Sequence, residues 1–223
     1  MISVIMSIKN NEKTLKSSIE SVLSQTYKDF EFLIMNDNST DNSSTILKNY
    51  EQKDSRIKIF YNKETNGLTK SLNILINHAK GNFIARQDGD DISTRSRLHK
   101  QIGYLKSGKY DFCVSRAESL QTNEIIPKVS YYIPKKLILK IKNPFIHGTL
   151  MIKKETLLDQ DCYDERFIYA QDYKLFSNLL KNNVRYKYIK EPLYFLNMVD
   201  NISNKHKLEQ KYFANCVRKN LIP

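Results

Sequence analysis

The chain has 223 residues, a formal net charge of +12 at pH 7, 40% hydrophobic residues and three cysteines. That length can bury one good core, and no apolar run is long enough to cross a bilayer. Cys113, Cys162 and Cys216 lie far apart without a C-x-x-C pair, which argues against a zinc site or a disulfide framework and fits a reducing cytoplasm.

Residues 1–8 lack a basic n-region, so no cleaved export signal is expected. The positive charge admits nucleic acid, an anionic membrane surface or a negatively charged substrate as partner. A general compositional bias is the alternative, because lysine is abundant throughout and accompanied by many Asn and Ile residues. Neither an RNA-binding aromatic motif nor a helix-turn-helix signature is present, so nucleic acid is set aside.

The first half alternates two periods. Residues 2–8 read as a strand and 14–25 as a helix; strands over 30–35, 57–61 and 83–86 then alternate with helices over 40–51, 68–79 and 96–106. A βαβαβαβ order predicts a mostly parallel sheet with helices on both faces and right-handed crossovers. Ligands of such sheets bind beyond the carboxyl ends of the strands, so the loops after residues 8, 35, 61 and 86 are expected to converge. The loop after the first strand, Lys9-Asn10-Asn11-Glu12, contains no glycine. Neither a G-x-G-x-x-G fingerprint nor a P-loop occurs, and a bound pyrophosphate would have to be held by metal and side chains.

The fourth strand runs into Asp88-Gly89-Asp90-Asp91. Carboxylates this close repel one another unless a cation lies among them, and oxygen ligands without His or Cys favour Mg²⁺ or Mn²⁺. Such an ion usually completes its shell with phosphate oxygens and water, so the turn reads as a clamp for a nucleotide diphosphate. A solvated acidic turn is the alternative.

The second half is less regular. Residues 111–116 and 148–152 read as strands and 135–142 as a short helix. Residues 172–182 carry an apolar helical stripe with Asp172 in the first turn, where unpaired N–H groups favour the ionised carboxylate. A plain helix cap would look the same. Residues 203–219 form a basic amphipathic stretch, to be packed on the domain's own surface or laid on a membrane. These patterns give one domain with a C-terminal appendage.

Several of these segments resemble glycosyltransferase family 2, near the bacterial enzymes that build capsule and lipopolysaccharide O-antigen. They are Ser3-Val4-Ile5-Met6-Ser7 with Asn10, residues 19–31, Asn36-Asp37-Asn38-Ser39-Thr40-Asp41, Asn66-Gly67-Leu68 with Asn73, residues 79–86, and the Asp88–Asp91 turn on the family's D-x-D-D motif. The resemblance implies an α/β GT-A (Rossmann-like nucleotide-diphospho-sugar transferase) fold, a mostly parallel central sheet flanked by helices. Residues 1–200 would form the domain, with a nucleotide-sugar-binding half over 1–116, an acceptor and catalytic-base half over 117–200, and a basic helical tail over 201–223.

By position, the resemblance implies that Asp37 accepts a hydrogen bond from the base and that Ser7, Asn10 and Asn66 line the nucleoside pocket. A carboxylate pairs with the N3–H of uracil, whereas cytosine has no proton there, so a UDP-sugar is the favoured donor. Asp90 would be the main metal ligand for Mn²⁺ or Mg²⁺, with Asp88 shared between metal and donor and Asp91 supporting. Asp172 would be the catalytic base of an inverting transfer, and Gln171 stands where the family has glutamate. His147 and Gln171 fall on the acceptor side, and Arg97 matches a basic residue expected to meet phosphate.

The implied acceptor is a glycan or a polyprenyl-diphosphate-linked glycan at the inner face of the cytoplasmic membrane, with peripheral contact to anionic lipid. Many relatives pair through C-terminal elements, so the resemblance leaves monomer and homodimer both open. The chain departs from the family at Leu196 and Met198, where Arg and His would reach the diphosphate or metal, leaving that task to Lys205 or His206. These departures and Gln171 also fit a non-catalytic, nucleotide- or partner-binding protein of the same fold, against which the retained Asp37, Asp88, Asp90 and Asp172 stand.

Overall fold

Strand β1 (Ile2–Ile8) is buried along almost its whole length and β2 (Phe30–Asn36) along all of it. Strands covered on both faces read as continuous apolar runs, as these do. The computed structural model describes residues 1–199 and 206–223. In it, β3 (Ile57–Tyr61), β2, β1 and β4 (Phe83–Arg86) lie side by side and parallel, with Val4 beside Phe32 and Ile2 beside Phe83. Helices α1 (Leu15–Leu23), α2 (Ser43–Lys53) and α3 (Leu68–His78) make the crossovers. The carboxyl ends of all four strands therefore open on one edge.

The sheet continues past β4 with mixed direction. After the short β5 (Ile92–Ser93) come α4 (Arg97–Lys106), β6 (Phe112–Ser119), β7 (Ile125–Ile126) and α5 (Lys135–Ile138). Then follow β8 (Met151–Lys153), α6 (Lys154–Leu158), α7 (Gln171–Lys181), β9 (Tyr186–Leu196) and α8 (Lys207–Lys219). Strand β8 is wedged antiparallel between β4 and β6, β9 runs parallel to β6, and β5 closes the far edge against β9.

Several elements differ from the sequence reading: the short β5, β7 and α6 were not expected, and the helix expected over 135–142 ends at Ile138. The strand expected from residue 148 begins at Met151, because residues 147–149 close a 3₁₀ turn in which the Thr149 N–H reaches the Ile146 carbonyl. Strand β9 was hidden in the sequence. Ile189 pairs with Ser115 and Pro192 with the very next residue, Arg116, so Lys190 and Glu191 bulge out and interrupt the alternation. Proline has no N–H for the ladder and belongs at such a bulge.

Leu15, Ile19, Leu47, Leu98 and Ile102 pack one face of the sheet, and Leu72, Ile76, Leu150, Phe176 and Leu179 the other. A third, smaller cluster joins Phe167, Ala170 and Tyr173 to Cys216 and Val217, seating α8 beside α7 on the protein's own surface. The three cysteines are unpaired thiols.

Gly81 marks where the chain entering β4 touches β1. A Cβ there would lie 2.6 Å from the Ser3 nitrogen and 2.8 Å from the Ile2 carbonyl carbon, whereas one at Gly103, exposed in α4, would meet nothing within 4 Å. Gly81→Ala is expected to cost about 1–3 kcal/mol by overpacking backbone against backbone. Gly103→Ala is expected to gain about 0.5–1 kcal/mol by helix propensity. Urea unfolding of both variants measures the pair, and equal effects would contradict the close approach.

Candidate active site

The loops after β1, β2 and β3 fasten to one another around Asp37 and Asn10. Asp37, at the exit of β2 and buried, accepts hydrogen bonds from the Asn62 amide at 2.7 Å, the Asn66 N–H at 2.8 Å and the Gly67 N–H at 2.9 Å. Gly67 takes φ +82° to present that N–H. A carboxylate offers about four acceptor positions, so three bonds leave one on Oδ2. Asn66 thus contributes through its backbone. Asn62, which the sequence reading missed, is the side chain that holds Asp37. Asn10, at φ 55°, donates its N–H to Ser39 Oγ at 3.1 Å and accepts the Thr40 N–H at 2.8 Å, joining the loops after β1 and β2. Ser7 is half-buried in β1 beside Met35.

The acidic turn rests on buried arginines. Arg86, the last residue of β4, is 1% exposed and pairs with Asp88 Oδ1. Arg97, also 1% exposed, donates to Gln101 and Gln87 Oε1, Ser93 Oγ, and the carbonyls of Arg86 and Leu150, with its guanidinium 4.9 Å from the Tyr194 ring centre. All its donors are consumed inside the protein. The structure therefore corrects the expectation that Arg97 meets phosphate: it is a strut beneath the turn.

Tyr194, buried in β9, accepts the Asp88 N–H at 3.0 Å and hydrogen-bonds the Asp91 carboxylate, which also accepts the Asn197 N–H at 2.7 Å. Ser18 and Thr14 of the α1 segment hold the Asp88 and Gly89 carbonyls at 2.7 and 3.0 Å. Burial first, and then the charge of Asp88, push Asp90 up to about 6. Burial, Asp88 and Asp90 together push Asp91 up to about 8. Carboxylates under that mutual repulsion are a donor set that a divalent cation would relieve. Among the described residues no cluster of three or more His, Cys, Asp or Glu forms a metal site. The fit is to an ion that takes one or two carboxylates here and completes its shell from a ligand.

Asp172 stands in the first turn of α7, after Ala170 in the left-handed region at φ 52°. Its Oδ2 accepts the Asn143 amide at 2.7 Å and its Oδ1 the Tyr173 N–H at 2.8 Å. Burial raises its pKa, against these hydrogen bonds, and the charge of Asp88 adds to the rise. Asp88 and Asp172 therefore feel one another. Gln171 beside it is buried.

His147 Nε2 lies 2.6 Å from the Tyr163 hydroxyl; burial, helped by Arg86, drives its pKa well below the ordinary value, so the ring is neutral. Next to it, Gly148 has no room for a side chain, because a Cβ would lie 2.6 Å from the Tyr194 hydroxyl and 2.8 Å from Asp88 Oδ2. The His147 segment thus abuts the acidic turn.

At the departures from the family pattern, Leu196 pairs with Ser119, and the Met198 N–H donates to Gln121 at 2.8 Å. His206 stacks on Tyr169 at 5.1 Å and lies 3.6 Å from Glu209. Lys205 lies outside the described residues.

The chain matches the family model described as glycosyl transferase family 2 over residues 3–176. It is 36% identical over 199 residues to the O-antigen biosynthesis glycosyltransferase WbnJ of Escherichia coli, covering 86% of this chain and 78% of WbnJ. It is 34% identical over 185 residues to the E. coli UDP-Glc:alpha-D-GlcNAc-diphosphoundecaprenol beta-1,3-glucosyltransferase WfgD, covering 82% of this chain and 71% of WfgD. The crystal structure of S. aureus TarS 1–349 in complex with UDP superposes with a TM-score of 0.76 at 20% identity, over 97% of this chain and 64% of that one, and shows the same GT-A fold. The match to a Bacillus subtilis relative, at 41% identity, spans 56% of that protein's length.

If Arg97 is a strut, Arg97→Gln strands several buried acceptors, and a loss of at least about 3 kcal/mol in unfolding free energy is expected. Unchanged urea stability with weakened nucleotide binding would restore the phosphate role.

Proposed function

We propose, from the premise that this chain belongs to glycosyltransferase family 2, that it moves a sugar from UDP to a hydroxyl of a glycan or polyprenyl-diphosphate-linked glycan, with inversion at the anomeric carbon. The observation that carries this reading is that Asp172, held by Asn143, lies near enough to Asp88 of the acidic turn for the charge of Asp88 to raise its pKa. A base on one side and a diphosphate clamp on the other are what a single in-line displacement requires.

On this reading the base of the nucleotide lies against Asp37, whose one remaining acceptor position suits the N3–H of uracil. Asn10 and Ser7 shape the same pocket. Asp90, with Asp88, would hold Mn²⁺ or Mg²⁺, whose charge would neutralise the departing diphosphate. The acceptor hydroxyl gives its proton to Asp172 as its oxygen bonds to the anomeric carbon and the bond from that carbon to UDP breaks. Burial makes Asp172 a stronger base than an exposed carboxylate, and Asn143 aims it. His147, neutral and fixed by Tyr163, and Gln171 are assigned to the acceptor wall. The choice of a lipid-linked acceptor draws on the acceptor in the name of WfgD.

Asp172→Asn is expected to lower transfer by roughly 10²-fold or more while leaving UDP affinity within about threefold; a variant that transfers normally would remove Asp172 as base. Asp172 must be ionised to act and its pKa is raised, so activity should fall as pH drops through a limb above the ordinary carboxylate range. Asn143→Ala removes a hydrogen bond that lowers that pKa. A pH–rate profile should show the limb moved further up, and an unmoved limb would break the link between Asn143 and the base.

A further inference from the structure

We infer that residues 129–142 form a preorganised platform that docks the protein on an anionic membrane surface, beside the catalytic base; the inference rests on the lipid-linked acceptor proposed above. Val129, Tyr132, Leu137 and Ile141 are 75%, 70%, 54% and 71% exposed. An apolar patch of this kind, ringed by charge, marks an interaction site. From residue 125 to residue 142 the chain carries five lysines and no acidic residue. That charge complements phosphate-bearing headgroups and opposes most basic partners. Apolar side chains with lysines among them are the composition of a segment that lies in a membrane interface.

The platform is held in shape from below. Lys135 is buried and donates to the carbonyls of Ser130, Tyr131 and Ile133 at 2.8, 2.5 and 3.0 Å, capping the turn that lifts Tyr132 outward. The Tyr131 ring packs inward on Tyr188 at 4.9 Å. Helical turns then bury Ile138 and leave Leu137 and Ile141, four residues apart, on the outer side, with Lys136 and Lys140 exposed among them. The Tyr173 hydroxyl of α7 holds the Leu139 carbonyl, and Arg218 of α8 holds that of Ile141 at 3.0 Å. Asn143, directly after Lys142, is the residue that aims Asp172. A surface bound by this platform therefore sits next to the base, where an acceptor anchored in lipid must present its hydroxyl.

The test is co-sedimentation of the full chain with vesicles of phosphatidylglycerol and phosphatidylcholine, against vesicles of phosphatidylcholine alone, with UDP titration of the same preparations. Binding that needs phosphatidylglycerol is expected. It should fall roughly fivefold for each lysine neutralised in Lys136→Gln and Lys140→Gln. It should fall roughly tenfold or more in the triple variant V129S/L137S/I141S, which removes buried apolar area. UDP affinity should stay unchanged in every variant. Indifference to phosphatidylglycerol, or variants that bind as the parent does, would overturn the platform. So would self-association of the parent, seen by sedimentation, that the triple variant abolishes, since the occupant would then be a second copy. Vesicle binding without UDP binding would instead sink the catalytic reading and leave the platform standing.

Discussion

Two buried guanidiniums at the carboxyl end of β4 are the constraint on which the site depends. Three carboxylates within four residues cannot stand at the mouth of a hydrophobic sheet without compensation, and buried cations cannot lie beneath them unpaired. Arg86 answers Asp88 directly, and Arg97 spends its donors on the carbonyls and amides that shape the turn. Tyr194 crosses from β9 to fix both Asp88 and Asp91. Burial first, and then the residual repulsion, raise the proton affinities of Asp90 and Asp91. The turn is thus held in shape by the protein and left with a charge imbalance that a cation can relieve.

The same economy joins segments from both halves of the chain. Strand β8 brings residues 147–149 against β4, so that Gly148 touches Asp88 and Tyr194, and α7 carries Asp172 near enough to Asp88 for their charges to interact. Residues far apart in sequence meet because β8 inserts antiparallel between β4 and β6.

The first half of the fold was legible because its signals are local. Alternating periods named four strands and four helices, and the parallel order of those strands follows from the crossovers. Asp88, Asp90 and Asp172 stood out as acids at strand or helix ends, whereas Asp37 was singled out by the family resemblance. What stayed hidden is what only tertiary pairing makes. Strand β9 was masked by the bulge around Lys190, Glu191 and Pro192. Asn62, Asn143, Tyr163 and Tyr194 are ordinary polar residues in sequence and acquire roles by facing Asp37, Asp172, His147 and the acidic turn. Arg97 misled because a basic residue after an acidic motif suggests a phosphate, whereas its helix points it inward among buried acceptors.

The loops gathered around Asp37 and the Asp88–Asp91 turn are proposed to hold a uridine diphosphate. Calorimetric titration of UDP and GDP into the protein, with Mn²⁺ and then with excess chelator, tests it most directly. UDP is expected to bind with Mn²⁺, to lose affinity when the ion is removed, and to be preferred over GDP. No binding of either nucleotide, or UDP binding that ignores the chelator, would contradict it.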